Sequence, residues 1–348
     1  ALFTIRISTD MEEGKAFRSL CADTNRKNFV SCKAAEMRED MILTVTLNPA
    51  VDKTYTTGAL MLGQVNRMRT VNNIAGGKGI NVAKILRQYG YEVATAGFLG
   101  GYTGQFIENC MQEIHALCRF TKVAGETRSS INVIAEDGYV TEILEPGPVI
   151  SAQELECFTA DYEKEVENCD LVIMSGSVAK GIPADIYRKL VETGKKAGRR
   201  CILDTSGEAL LHGIKAAPFM IKPNQKELEY LVGHKLKDIG EIGRAAEKLR
   251  GTGIEHVLVS LGKKGLLSVT EGETLWAKPP AVKAVNTVGC GDSVVASYAM
   301  SLLKGEDNYT ALKRAAAISA ANTATLESGD IALELAEDLL ERVEMEKR

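Results

Sequence analysis

No run of apolar residues in the chain approaches the ~20 needed to cross a bilayer. The longest, around positions 294–303, is broken by Ser297, Tyr298 and Ser301 and is expected to form a buried helix. Basic charge is not in excess: 42 Lys and Arg stand against 46 Asp and Glu, a net charge of −4, without the footprint of a nucleic-acid binder. The four histidines are scattered, with no metal-ligand spacing. Eight cysteines include no Cys-x-x-Cys pair and no regular framework, so free thiols in a reducing cytosol are expected. The glycine-rich segment Gly76-Gly77-Lys78-Gly79-Ile80-Asn81 is neither a Walker A loop nor a dinucleotide fingerprint. No Ser or Thr follows its lysine at the required offset, and Val82 takes the third glycine position. No short period recurs, which excludes a solenoid.

What remains is an ordinary globular composition, 45% hydrophobic and 25% charged over 348 residues. That length suits roughly two domains or one large α/β unit, with a core that needs no metal or disulfide. Residues 1–40 lack a sustained apolar period and a secretory pattern; a disordered extension, or sequence upstream of a natural start at Met41, is expected there. From Met41, β-branched runs (42–47, 93–98, 171–175, 201–204, 219–221, 256–260) alternate with amphipathic stretches (80–88, 104–115, 151–167, 183–197, 226–232, 241–249). This alternation predicts a parallel sheet covered on both faces, with a helical end after Pro280. Segments 53–57 with 65–71, and 129–135 with 139–144, alternate polar and apolar residues without intervening helices, and Glu136-Asp137-Gly138 is a hairpin turn. They predict a small antiparallel sheet within 53–75 and 128–145.

The stretch Asn286-Thr287-Val288-Gly289-Cys290-Gly291-Asp292-Ser293 carries the clearest chemistry. Its glycines free the backbone just before a helix, whose first turn offers unpaired N–H groups and the positive end of the dipole. Asp292 lies in the same turn. An anion site beside a proton acceptor suits phosphoryl transfer to a hydroxyl; a simple helix cap is the plain alternative. The Gly76–Gly77 cluster lets amides approach a ligand, and Lys78 adds a point charge for a phosphate; a tight connection is its plain alternative. Asn48-Pro49-Ala50-Val51-Asp52, Lys222-Pro223-Asn224-Gln225-Lys226-Glu227 and Ser260-Leu261-Gly262-Lys263-Lys264-Gly265 each follow a predicted strand. A parallel sheet places ligands there, although each segment also suits a turn or cap.

In their order along the chain these segments resemble the PfkB carbohydrate kinase family, from Met41 to about Val343. The resemblance implies an α/β, ribokinase-like fold: three layers, α/β/α, with a mostly parallel central sheet and a small antiparallel β lid. With Thr141-Glu142-Ile143-Leu144-Glu145-Pro146-Gly147-Pro148, it points to the branch acting on phosphorylated ketohexoses. The implied reaction is ATP-dependent phosphorylation of fructose 1-phosphate to fructose 1,6-bisphosphate. Tagatose 6-phosphate, giving tagatose 1,6-bisphosphate, is the alternative acceptor. A non-catalytic sugar-phosphate sensor is the reading from another class, opposed by Asp292 and the Asn224/Glu227 pair.

Residue by residue, the resemblance makes Asp292 the catalytic base and the N–H groups of Gly289, Cys290 and Gly291 the anion hole. Asp52, Gly77 and Asn81 match positions that hold sugar hydroxyls, with Gly76 and Ser177 on the same substrate side. Lys78 and Arg128 are candidates for the phosphate already on the sugar. Asn224 and Glu227 match an element that organises Mg²⁺, Glu227 acting through water. Ser260, Leu261, Gly262, Lys263, Lys264 and Gly265 match the loop beside the ATP phosphates, where Gly291 and Asp292 also contribute, and Asn322 approaches adenine. ATP and Mg²⁺ are thus implied in a cytoplasmic enzyme with no nucleic-acid or membrane partner, and paired lids imply a homodimer. Cys290 departs from the Ala or Ser usual at its position; a small space-filling residue is the plain reading, and a thiol that meets thiol reagents unless ATP covers it is the alternative.

Overall fold

The computed structural model describes residues 40–325 and 327–348, so the extension expected over 1–40 lies, but for Asp40, outside the described residues. The elements begin with β1 (Met41–Thr46), β2 (Ala50–Thr57), β3 (Thr70–Gly76), α1 (Lys78–Gln88), β4 (Glu92–Leu99), α2 (Gly101–Glu113), β5 (Leu117–Lys122), β6 (Arg128–Ala135) and β7 (Val140–Leu144). There follow α3 (Ala152–Glu167), β8 (Leu171–Ser175), α4 (Ile186–Lys196), β9 (Arg200–Asp204), α5 (Gly207–Gly213), β10 (Met220–Ile221), α6 (Gln225–Val232), α7 (Ile239–Arg250) and β11 (His256–Ser260). The chain closes with β12 (Leu266–Thr270), β13 (Glu273–Lys278), α8 (Cys290–Leu303), α9 (Asn308–Asn322), α10 (Leu333–Leu340) and β14 (Glu344–Lys347).

The large sheet has the order β14-β13-β12-β11-β10-β9-β8-β1-β4-β5. From β11 to β5 every pairing is parallel, and β12, β13 and β14 add antiparallel pairs at one edge. Period-two strand geometry divides the apolar residues between two layers. Ile42, Leu171 and Ile173 face the layer of α1, α8 and α9; Leu43, Val172 and Met174 face the layer of α3, α4 and α7. Each such side chain contributes about 1.5–3 kcal/mol by leaving water. Helix α8 is buried from Asp292 to Ser301, as its apolar run predicts.

Three expectations need correction. The chain does not stay helical after Pro280: β14 pairs with β13 at the sheet edge. Strands β5, β12 and β13 lie where no strand was expected: β5 and β13 carry polar and half-buried residues rather than a continuous apolar run, and the short buried β12 is interrupted by Ser268. The strand expected over 65–71 lies instead at Thr70–Gly76, so Gly76 ends a strand.

The small sheet has the order β3-β2-β6-β7. Its outer pairings are antiparallel and its middle one, β2 with β6, is parallel. The register sets Ala50 opposite both Gly76 and Arg128, and Asp52 opposite Ser130.

Candidate active site

Parallel strands deliver their C-terminal ends to one edge, and the predicted site residues gather there. Gly289 precedes α8 in the left-handed region (φ 87°), a conformation that favours glycine, and no side chain caps the helix. The N–H groups of Cys290, Gly291 and Asp292 precede the first helical bond, from Ser293 N–H to Gly289 O at 2.9 Å. Asp292 does not cap its helix. It is 4% exposed and its Oδ2 accepts from Asn81 Nδ2 at 2.8 Å. Burial, with the charge of Asp204 second, pushes its carboxyl up to about 7, against the pull of Asn81, Lys78 and Lys222.

Helix α1 supplies one wall. Gly77, at φ 110°, lets the chain turn into α1 against Pro49 and Thr46. Lys78 Nζ donates to Asp204 Oδ1 at 3.2 Å, and Lys222 Nζ reaches the same oxygen at 3.3 Å. A Cβ at Gly291 would lie 3.0 Å from Lys222 Nζ, so glycine lets this ammonium group close on the start of α8. Further along α1, Lys84 Nζ donates to Ser328 O at 2.6 Å and its charge also acts on Asp52. Gln88 holds the same loop through Gly329 O and Ile331 N–H.

The residues expected on the substrate side form a second group, at the root of the small sheet. The Asp52 carboxyl is pushed up to about 6 by burial, against the charges of Arg128 and Lys84. It occupies the space a side chain at Gly76 would need. Arg128 donates to Asn48 O at 3.3 Å and Glu145 O at 3.4 Å, and Asn48 Nδ2 donates to Ser177 Oγ at 3.3 Å. Lys78 and Arg128 therefore do not share a partner: Lys78 faces Asp204, Asp292 and Glu227, and Arg128 faces Asp52 and Glu145.

Asn224 and Glu227 form a capping box on α6. The Asn224 N–H donates to Glu227 Oε2 at 2.8 Å and the Glu227 N–H to Asn224 Oδ1 at 2.9 Å. The charge of Glu227 still reaches Lys78. Among the described residues no three His, Cys, Asp or Glu side chains form a metal cage. The capping bond engages Glu227 through Oε2, and its carboxylate is an oxygen donor of the kind a hard divalent cation takes. Ser260 bridges to Asn224, and the following loop closes on itself through Leu261 N–H to Gly265 O at 2.8 Å, around Gly262, Lys263 and Lys264. Asn322 Nδ2 donates to Val288 O at 3.0 Å and lies 3.7 Å from Cys290 Sγ. Burial pushes the Cys290 thiol up, which disfavours the reactive thiolate. Among the described residues the six cysteines are free thiols.

Sequence reasoning missed Asp204, Lys84 and the 327–330 loop, and gave Lys222 no role. Asp204 carried one legible signal, its place at the C-terminal end of a predicted strand. No described helix is long and apolar enough to cross a membrane.

The pfkB family carbohydrate kinase model matches residues 44–334. A tagatose-6-phosphate kinase of Staphylococcus epidermidis is 37% identical over 310 residues, 88% of this chain and 99% of its own. The phosphofructokinase-2 of Escherichia coli, solved in complex with potassium, superposes with a TM-score of 0.81 at 26% identity, covering 87% of this chain and 99% of that one. A protein of Thermotoga maritima described as a "possible 1-phosphofructokinase" gives the same TM-score at 26% identity, over 88% and 99%. With an uncapped helix start and a buried carboxylate in a ribokinase-like fold, and a match over most of its length, the chain belongs to the pfkB family of carbohydrate kinases.

Proposed function

We propose that the protein transfers the γ-phosphoryl group of ATP to a hydroxyl of fructose 1-phosphate, giving fructose 1,6-bisphosphate and ADP. The observation that carries this reading is the buried Asp292 carboxyl in the first turn of α8, held by Asn81 rather than spent as a cap. The sugar oxygen forms the new P–O bond, the bond from the γ-phosphorus to the β-bridging oxygen breaks, and the hydroxyl proton passes to Asp292. The N–H groups of Gly289, Cys290 and Gly291 and the ammonium groups of Lys78 and Lys222 carry the migrating charge. Asp52 and Asn81 orient sugar hydroxyls, with Gly76, Gly77 and Ser177 lining their side, and Arg128 takes the phosphate already on the sugar. Mg²⁺, when bound with ATP, neutralises phosphate charge; Asn224 and Glu227 would hold it through water. The loop from Ser260 to Gly265 lies beside the nucleotide phosphates and Asn322 beside adenine. The small sheet closes over the sugar as a lid and excludes competing water. Two copies pair through it.

The 37% identity to a tagatose-6-phosphate kinase favours a second acceptor, tagatose 6-phosphate, phosphorylated at its other end on the same machinery. Steady-state kinetics on both sugars with Mg·ATP, with the new phosphate located by ³¹P NMR, separates the readings. A larger kcat/KM for fructose 1-phosphate is expected. A larger value for tagatose 6-phosphate reverses the choice, and turnover of neither overturns both acceptor assignments.

A further inference from the structure

We propose that Asp204 is a positioning residue: it gathers the ammonium groups of Lys78 and Lys222 beside the start of α8 for the arriving phosphoryl group, an inference that rests on the reading above. Asp204 is 1% exposed at the end of β9, and both ammonium groups converge on its Oδ1. Its other oxygen, Oδ2, is buried without a hydrogen-bond partner in the described structure. The backbone there is fixed, because the Asp204 carbonyl accepts from Gly176 N–H at 2.9 Å and Thr205 Oγ1 donates to Gly176 O at 2.8 Å. A carboxylate set so rigidly is a poor way to gain stability, since desolvation offsets most of a buried ion pair.

Its arrangement makes better sense as preparation. The two ammonium groups share one Asp204 oxygen next to Gly291, with the charges of Asp292 and Glu227 also acting on Lys78, so both cations stand at the start of α8. Lysine stems are flexible, and two ammonium groups left alone would repel one another and drift. Held on one oxygen, they are already oriented when charge develops on the phosphoryl oxygens, which is the condition under which fixed charges accelerate a reaction. The Gly176–Asp204 backbone link also fixes β9 to β8, so the carboxylate position is set by the sheet itself.

The test uses the full chain and compares turnover with affinity for ADP alone. Asp204→Asn is expected to lower kcat about 10²-fold, the scale of an ångström-level misplacement, while the ADP Kd measured calorimetrically stays equal or tightens, because the lysines lose their internal competitor. In a double-mutant cycle, Asp204→Asn added to Lys222→Met should lower kcat little further than Lys222→Met alone. If Asp204→Asn alone does not fold, the double variant should regain a cooperative melt, since one of the repelling cations is gone. A parallel loss of ADP affinity and kcat, additive effects in the cycle, or a double variant that also fails to fold would overturn the role. Absence of turnover by the wild type would instead sink the functional reading itself.

Discussion

Burial of the Asp292 carboxyl in the first turn of α8 raises its affinity for a proton, because a charged group there loses its water, and Asp204 adds like charge. Asn81 and the two lysines offset part of that rise, leaving the group poised at about 7. Below that pH the carboxyl holds its proton and cannot accept one from the sugar; above it the carboxylate is free. The kcat at saturating substrates is therefore expected to fall about tenfold per pH unit below neutrality. A profile flat from pH 8 down to pH 5 would show that Asp292 is not the base. The same shift has a sign in stability. A folded-state value raised above the unfolded 3.8 contributes stability present at low pH and lost as pH rises through about 7. In the proposed role the ionised Asp292 is thus a strained group at working pH, which is the usual relation between a tuned site and its fold.

At the scale of elements, the pairing of β2 with β3 puts Asp52 over Gly76, where no side chain fits. Gly76→Ala should push the Asp52 carboxylate off its position and raise the sugar KM about tenfold, the loss of one charged hydrogen bond, with the KM for ATP unchanged. An unchanged sugar KM would remove Asp52 from the sugar site. Much of this was legible in sequence. The strand–helix alternation from Met41 gave the parallel sheet, and the glycines around Asp292 gave the helix start, because both depend on local pattern. The edge strands β5 and β14 escaped because they lack a continuous apolar run, and β12 and β13 because they are short and interrupted by polar residues. The Lys78–Asp204–Lys222 cluster escaped for another reason. Its members are 126 residues apart at the widest hydrogen-bonded pair, so only the sheet order brings them together.

At the scale of the whole molecule, the small sheet and its loop expose Leu62, Val71, Tyr139, Val140, Ile143 and Leu144, an apolar surface of the kind that marks an interface. Light scattering is expected to give twice the 37.6 kDa chain mass, and Ile143→Asp should shift it toward one. A wild type of single-chain mass would refute pairing through the lid. The small sheet is also tied to the 327–330 loop, through Asn72 Nδ2 and Glu327 Oε1 at 3.2 Å, and that loop packs on Gly289 and Asn81. The small sheet, this loop and the start of α8 thus meet around α1, where the step proposed for Asp292 would take place. ADP release by wild type and Asp292→Asn, with Mg·ATP and fructose 1-phosphate at pH 8, tests that step most directly. The account predicts a loss of roughly 10²–10⁴-fold in kcat, with ADP affinity retained and a melting temperature equal or higher. Turnover within a few-fold of wild type would contradict it.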